Sequence, residues 1–169
     1  MRALALTIGE PAGIGCDIAL AVWTMRRDRE IPTFYLVGDP DHIAARAQMI
    51  GLDIPLTAAT HEDASLRFDS ALPVTPIDER ATAEPGHPDD SSAAVSLASI
   101  RRAVRDVVER RASAIVTNPI AKAVLYRAGF SDPGHTEYLA RLAHEMMGVT
   151  ATPVMMLWSE DLAVVPVTI

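Results

Sequence analysis

The chain has 169 residues, 49% hydrophobic and 22% charged, a balance typical of one globular domain or a piece of a larger one. Its net charge of −7 argues against nucleic acid as the main partner, because phosphate binding requires clustered Lys and Arg side chains. The single cysteine excludes an internal disulfide, and no apolar run approaches the ~18 residues of a membrane span. With no signal-peptide pattern at its start, the chain is predicted to be cytoplasmic.

The first half of the chain alternates apolar runs with helical patterns. Strands are predicted at 3–8, 33–38 and 51–56 and near Leu72–Val74, with a long exposed loop within 60–88. A helix is predicted at 17–25, and Asp39 and Pro40 cap and open a second helix that runs to about Met49. The apolar face of the first helix is assigned to Ile18, Ala21, Val22 and Met25.

The second half continues the alternation. A helix is predicted from the N-cap region 89–92 to near Arg111, followed by a buried strand at 113–117. Pro119 is predicted to open a short helix that ends at Gly129, and another helix runs from 134 to about Met147. Two final strands at 153–158 and 162–168 are close enough to form a hairpin. The pattern predicts an α/β fold with a mostly parallel sheet flanked by helices.

In such sheets ligands bind at the carboxyl ends of strands, which directs attention to the loops 9–15, 117–122 and 132–137. The first loop lacks the glycine spacing of a dinucleotide fingerprint and the Gly-Lys-Ser/Thr of a P-loop. Glu10, Gly13 and Gly15 therefore indicate at most a generic anion site at a helix N-terminus, and a well-made strand-to-helix turn is the alternative. Cys16, next in the chain, is either a thiol nucleophile or, by the favoured interpretation, a small buried side chain.

Lys122 is the only lysine, whereas the other fourteen cationic side chains are arginine. Ammonium is a mobile point charge with a tunable pKa, which suits it to meet a phosphate or carboxylate or to move a proton. Its predicted place in the first turn of a helix is unfavourable for the helix dipole, and such local conflicts favour a functional role. A solvated helix residue is the alternative, as it is for the arginine pairs at 26–27, 101–102 and 110–111.

Gly134-His135-Thr136-Glu137 brings an imidazole, a hydroxyl and a carboxylate to another predicted helix start. Alternatively, Thr136 is only an N-cap and His135 only a loop histidine. No pair of histidines has metal-ligand spacing, so no closed metal site is predicted within the chain. The remaining histidines are interpreted as surface residues: His42, His61, His87 and His144.

Four segments, in family order and with family-like spacing across the whole chain, resemble the 4-hydroxythreonine-4-phosphate dehydrogenase family of vitamin B6 biosynthesis. They are Gly9-Glu10-Pro11-Ala12-Gly13-Ile14-Gly15, Thr117-Asn118-Pro119-Ile120-Ala121-Lys122, Gly134-His135-Thr136-Glu137 and Val165-Pro166-Val167-Thr168. The resemblance implies a fold similar to the isocitrate and isopropylmalate dehydrogenases. It also implies a homodimer with its active site in a cleft at the subunit interface.

Family members are about twice as long, so the resemblance implies that 1–169 is the N-terminal half of a two-lobed enzyme. Residues 1–115 would form mainly the first lobe, and 116–169 the start of the second lobe with its cleft loops. Three histidines hold a divalent metal (Zn, Mg or Co) in the family, and the first would follow directly after Ile169. Lys122 is the catalytic candidate. His135 and Thr136 correspond to the substrate-binding pair, and Thr117 and Asn118 are further substrate-binding candidates.

The implied activity is NAD- or NADP-dependent oxidation, with decarboxylation, of a small phosphorylated hydroxy acid, 4-phosphooxy-L-threonine. One alternative is a related dehydrogenase acting on a four-carbon sugar-acid phosphate or an aromatic cis-dihydrodiol. The alternative from another class is a truncated, non-catalytic module that only binds or dimerises. On either reading, the 169-residue chain alone is expected to be inactive.

Overall fold

A computed structural model describes residues 2–60, 62–150 and 152–167. The chain divides into two compact units, Met1–Phe130 and Ser131–Ile169. The lobe boundary predicted near residue 115 stays a prediction. The predicted surface residue His61 and the last two residues of the chain, where the final predicted strand ends, lie outside the described part.

The first unit is built on a five-stranded parallel sheet, which confirms the predicted fold class. Its strands lie in the order β3-β4-β2-β1-β5. The strands are β1 (Leu4–Thr7), β2 (Phe34–Gly38), β3 (Leu56–Ala58), β4 (Leu72–Pro76) and β5 (Ile115–Val116). The helices are α1 (Gly15–Thr24), α2 (Pro40–Met49), α3 (Ala64–Arg67), α4 (Asp90–Val108) and α5 (Lys122–Arg127).

Alternate residues of the central strands face opposite sides of the sheet, as the two-residue period of a strand requires. Leu6, Leu36 and Val74 belong to one buried cluster together with side chains of α1 and α2. Ala5 and Tyr35 belong to a second cluster that includes side chains of α3 and α4. Helices therefore cover both faces, which explains why β1 and β2 are continuous apolar runs.

The predicted apolar face of α1 is wrong. Ile18 and Met25 are 42% and 41% exposed, whereas the helix buries Cys16, Ala19, Leu20 and Trp23. The physical reason is size and anchoring: small side chains let the helix approach the sheet, and the Trp23 indole N–H donates to the carbonyl of Phe68 at 3.0 Å. Cys16 is buried, as the favoured interpretation states.

Other features of the first unit also differ from the predictions. The third strand lies at Leu56–Ala58 instead of 51–56, because α2 continues into a turn closed by the Leu52 N–H and the Ala47 carbonyl at 2.9 Å. The short helix α3 replaces part of the predicted loop. β5 is not buried as predicted, since it pairs only with β1 and leaves Val116 43% exposed.

α4 begins as predicted, with a capping box in which the Asp89 carboxylate accepts the backbone N–H groups of Ser91 and Ser92. It ends at Val108, before the predicted Arg111, because the carbonyl of Asp106 accepts the N–H groups of Arg111 and Ala112 and closes the helix. Its C-terminal turns are tied to the sheet by the buried Asp106 carboxylate, which accepts the Tyr35 hydroxyl at 2.8 Å.

The second unit contains α6 (His135–Met147) and the antiparallel strands β6 (Leu157–Trp158) and β7 (Ala163–Val164). The Ser159 N–H donates to the Leu162 carbonyl at 2.8 Å and closes the turn between the strands, which confirms the predicted hairpin. In the described part of the chain, no helix has both the length and the apolar character needed to cross a membrane.

Candidate functional site

The sheet topology brings two of the three predicted loops together. β1 and β5 are neighbours, so the loop after β1 (9–14) and the segment after β5 (117–121) leave the same carboxyl edge. The helix that follows β1, α1, packs on one face of the sheet, whereas α5, which follows β5, contacts α4 of the opposite face. Such a switch between outgoing helices is where open α/β sheets bind ligands.

Hydrogen bonds join the two segments. The Glu10 N–H donates to the Pro119 carbonyl at 2.8 Å. Asn118 donates its side-chain Nδ2 to the Thr7 carbonyl at 2.9 Å and its backbone N–H to the Thr7 hydroxyl at 3.2 Å. Asn118 is buried by these contacts, while Thr117 is exposed. The carboxyl edge of β1 and β5 is therefore bordered by two loops that hydrogen bonds hold together.

Two glycines allow this close approach. A Cβ on Gly9 would lie 2.6 Å from the Pro119 carbonyl oxygen, and Gly9 also has a positive φ of 74°. A Cβ on Gly15 would lie 2.6 Å from the Ile8 carbonyl oxygen and 2.9 Å from the Asn118 Cβ. Both glycines thus serve the packing of one protein segment against another.

Glu10 lies at the centre of the loop with its side chain turned inward. The residue is 6% exposed, and Oε1 accepts the Ala12 N–H at 3.1 Å. Oε2 is buried and has no hydrogen-bond partner among the described residues. Gly13 closes the turn by donating its N–H to the Glu10 carbonyl at 2.9 Å. Glu10 therefore holds a carboxylate in the interior of this loop.

Lys122 is the first residue of α5, with Ala121 as the N-cap, so its predicted place in a first helical turn is confirmed. The prediction that Pro119 occupies the first helical position is wrong. Hydrogen bonds to Thr7 and Glu10 hold residues 118 and 119 outside the helix, so α5 starts three residues after Pro119. Lys122 is exposed, and no ion-pair partner occurs for it within the described ranges.

In the second unit, an ion pair fixes the residues that precede His135. Arg141 donates from Nη2 to Asp132 Oδ2 at 2.7 Å and from Nε to both carboxylate oxygens at 3.1 Å. These bonds raise the pKa of Arg141, the Asp132 contact being the largest cause and Glu145 adding to it. The N-cap of α6 is Gly134, so Thr136 lies inside the first turn and does not cap the helix.

His135 and Thr136 therefore open α6 behind a braced turn, as predicted for a helix start. Whether their side chains meet Lys122 in one cleft stays a prediction, since the two units are described separately.

Two side chains missed by the sequence interpretation hold the β1 loop from outside. The prediction that His42 is a surface residue is wrong, because the residue is half-buried and its Nε2 lies 3.1 Å from the Pro11 carbonyl oxygen. The Ser96 hydroxyl donates to the Gly9 carbonyl at 2.8 Å. The sequence signal that could have identified Ser96 is the presence of a polar serine within the apolar stripe of α4. His87 and His144 are exposed, as predicted.

The arginine pairs are only partly solvated. Arg26 stacks on the Trp23 ring at 3.6 Å, and Arg102 donates to the buried Asp106 at 3.1 Å. Burial, followed by the neighbouring Asp17 carboxylate, raises the pKa of the Cys16 thiol to about 12, which makes it a poor nucleophile. Over residues 2–60, 62–150 and 152–167, no group of three or more His, Cys, Asp or Glu side chains is arranged to hold a metal ion.

Comparison with known proteins identifies relatives along the whole chain. Residues 30–169 match the family described as pyridoxal phosphate biosynthetic protein PdxA. A 4-hydroxythreonine-4-phosphate dehydrogenase from Bradyrhizobium diazoefficiens is 56% identical over 176 residues, covering 99% of this chain and 51% of that protein. One from Methylorubrum extorquens is 51% identical over 170 residues, covering 99% of this chain and 49% of that protein.

The solved structures agree on the fold. A 4-hydroxythreonine-4-phosphate dehydrogenase from Burkholderia phymatum superposes with a TM-score of 0.83 at 24% identity, covering 98% of this chain and 49% of that one. The fold and its structural neighbours define the class as a mostly parallel α/β protein. The chain belongs to the PdxA family, which confirms the resemblance stated from its motifs. It spans about half the length of the curated relatives it matches.

Proposed function

We propose that this chain forms half of an NAD(P)- and divalent-metal-dependent dehydrogenase that oxidises and decarboxylates 4-phosphooxy-L-threonine in pyridoxal phosphate biosynthesis. The observation that carries the proposal is the junction of two family segments, 9–15 and 117–122, at the β1/β5 switch of a parallel sheet. The names of the curated relatives support the substrate. The whole protein would be a cytoplasmic homodimer that takes a small phosphorylated hydroxy acid.

Each candidate residue has a chemical role in this proposal. The Lys122 ammonium stabilises an anionic group of the substrate or assists proton transfer, a task suited to an exposed cation with no ion-pair partner among the described residues. His135 and Thr136 hold the substrate by hydrogen bonds from the start of α6. Thr117 offers an exposed hydroxyl on the segment that leads to Lys122, and the bonds of Asn118 to Thr7 hold that segment against β1.

The cofactor and the metal do not fit the described residues. Gly9 and Gly15 use their missing Cβ atoms to approach Asn118, Pro119 and Ile8, and Gly13 lies against Glu10, so these glycines leave no pyrophosphate cradle. The described part of the chain also contains no metal-ligand cluster. The nicotinamide and metal sites are accordingly proposed to lie in the part of the protein that the relatives have and this chain lacks.

The first test uses the 169-residue chain. Because it assembles neither site, we expect no oxidation of 4-phosphooxy-L-threonine in the presence of NAD or NADP with Zn²⁺, Mg²⁺ or Co²⁺. The measurement is cofactor reduction followed by absorbance, with the Bradyrhizobium diazoefficiens relative as the positive control. Turnover by the pure chain would contradict this expectation.

The second test uses the protein extended to the length of its relatives. Lys122→Arg keeps the charge but changes its shape and proton chemistry, so we expect kcat to fall at least ~10-fold, a loss of about 1.4 kcal/mol in transition-state stabilisation. His135→Ala should mainly raise KM, because it removes binding made in the ground and transition states alike. Arg127→Lys, an exposed change on the same helix, is the control. Normal kinetics for both variants would reject the assignment of Lys122 and His135 to the active site. Oxidation of a cis-dihydrodiol instead of 4-phosphooxy-L-threonine would reject the proposed substrate.

A further inference from the structure

Glu10 carries a buried carboxyl group, and only one of its two oxygens accepts a hydrogen bond among the described residues. The residue is 6% exposed, its Oε1 accepts the Ala12 N–H, and its buried Oε2 has no partner within the described ranges. Buried polar atoms without a partner are rare, and each one destabilises the fold, more so when the group is charged. A side chain retained at such a cost calls for a role beyond packing.

Lys122 carries a charge of the opposite sign and also has no ion-pair partner among the described residues. It is a cation at the first position of α5, where the positive end of the helix dipole repels it. Within the described part of the chain, no carboxylate pairs with it. Among the described residues, therefore, no carboxylate offsets the repulsion between Lys122 and the start of the helix.

The two residues lie on loops that are bonded to each other. The Glu10 N–H donates to the Pro119 carbonyl at 2.8 Å, and Lys122 follows Pro119 by three residues. A lysine side chain on the adjoining segment is long and mobile enough to approach the Glu10 loop.

Other carboxylates at this edge of the first unit are already paired. Asp17 accepts Arg46 Nε at 2.5 Å, and Asp39 accepts Arg80 Nη1. Arg80 also bonds to Asp41 at 2.9 Å. Glu10, in contrast to these paired carboxylates, has a buried oxygen without a partner among the described residues, on the loop bonded to the segment that precedes Lys122.

We propose that Glu10 is a positioning residue whose carboxylate is the counter-charge of the Lys122 ammonium. In this structure the two groups form no ion pair, and contact forms when the Lys122 ammonium turns toward the Glu10 loop. Glu10 thereby directs the cation toward the substrate region. This role rests on the proposed function of Lys122 and adds the residue that orients it.

A double-mutant cycle on the 169-residue chain tests the interaction without measuring turnover. Glu10→Gln keeps the shape and removes the charge, and its effect on the urea unfolding constant is measured with Lys, Arg or Met at position 122, at low protein concentration. With Met, the substitution only removes an unpaired buried charge. With Lys or Arg, the substitution also removes an attraction. Its effect on the unfolding constant should then be about 10-fold less favourable to the folded state than with Met, which is within the range for coupled residues.

A purely structural Glu10 would show the same effect in all three backgrounds. Agreement within about twofold, below the coupling expected of interacting residues, would overturn the proposal. Glu84→Gln is the matched control, because Glu84 is exposed and lies in a segment held to the same loop by the Gly86 N–H and the Ala12 carbonyl at 2.7 Å. Its effect should not depend on residue 122.

A second measurement needs only the wild-type chain, should a variant fail to fold. A zero-length carbodiimide traps carboxylates and amines that come into contact during the reaction, and every lysine-derived amide must contain Lys122. We expect mass spectrometry to find a Glu10–Lys122 link in the folded chain. Links from Lys122 only to other carboxylates, or no lysine-derived link, would overturn the proposal. Because neither readout uses turnover, failure here is distinct from failure of the proposed dehydrogenase function.

Discussion

At the scale of single residues, Gly9 shows how one missing side chain supports the site. Its φ of 74° favours glycine, and a Cβ would lie 2.6 Å from the Pro119 carbonyl oxygen and 2.7 Å from the Asn118 Cβ. We expect Gly9→Ala to lower the free energy of unfolding by more than ~2 kcal/mol, because backbone strain of about 1–2 kcal/mol adds to the clash. Urea denaturation of the chain measures this change.

Gly51→Ala is the control for that substitution. Gly51 has nearly the same φ, 72°, but its added Cβ would meet nothing within 4 Å, so only the backbone strain remains. Equal losses for the two variants would show that the contact between the β1 loop and the segment after β5 contributes nothing to stability.

Cys16 provides a second test at this scale. Burial, followed by the charge of Asp17, raises the pKa of its thiol to about 12, so almost no thiolate forms in the folded protein at neutral pH. We expect iodoacetamide to leave Cys16 unmodified in the native chain and to modify it fully in urea, as read by mass spectrometry. Stoichiometric labelling of the native chain at pH 7.5 would contradict this prediction and support the interpretation of Cys16 as a thiol nucleophile.

At the scale of secondary-structure elements, the anchor between α4 and β2 is the clearest determinant of stability. Asp106 is 1% exposed and accepts the Tyr35 hydroxyl at 2.8 Å and Arg102 Nε at 3.1 Å. Burial, and next the hydrogen bond to Asp106, raise the pKa of Tyr35. The hydroxyl therefore remains a donor throughout the physiological pH range.

Asp106→Asn should lower the free energy of unfolding by about 2–3 kcal/mol, because bonds to a charged acceptor are replaced by bonds to a neutral amide. The measurement is the urea midpoint with an unchanged m-value. Asp28→Asn, an exposed change of the same type, is the control. A midpoint shift no larger for Asp106→Asn than for Asp28→Asn would mean that the network is not a stabilising anchor.

The elements also show what can be predicted from a sequence and why. β1 and β2 could be predicted because strands buried on both faces are continuous apolar runs. The buried face of α1 could not, since it combines Leu20 and Trp23 with Cys16 and Ala19, whose small size gives little periodic signal. The three loops could be predicted as candidate sites, yet the bonds between Glu10 and Pro119 depend on strand order, which joins segments over 100 residues apart.

At the scale of the whole molecule, the second unit exposes an unusual amount of apolar surface. Large apolar side chains on and beside the hairpin are exposed: Val154 68%, Met156 56%, Leu157 61%, Trp158 72%, Leu162 64% and Val167 98%. β6 and β7 pair only with each other in the described part of the chain, which leaves their outer edges open. Open edges and contiguous apolar patches promote association.

We therefore expect the 169-residue chain to self-associate, with Val154–Leu157 and 162–167 as the contact, because burying this surface removes apolar area from water at about 25 cal/mol per Å². Sedimentation velocity should show the average mass rising with concentration, and Trp158→Lys should weaken the association at least ~10-fold by placing a charge in the contact. Leu66→Lys is the control, since Leu66 is 81% exposed but lies on α3 of the first unit. A single monomeric species at high concentration would contradict the prediction, and equal weakening by both variants would move the contact away from the hairpin.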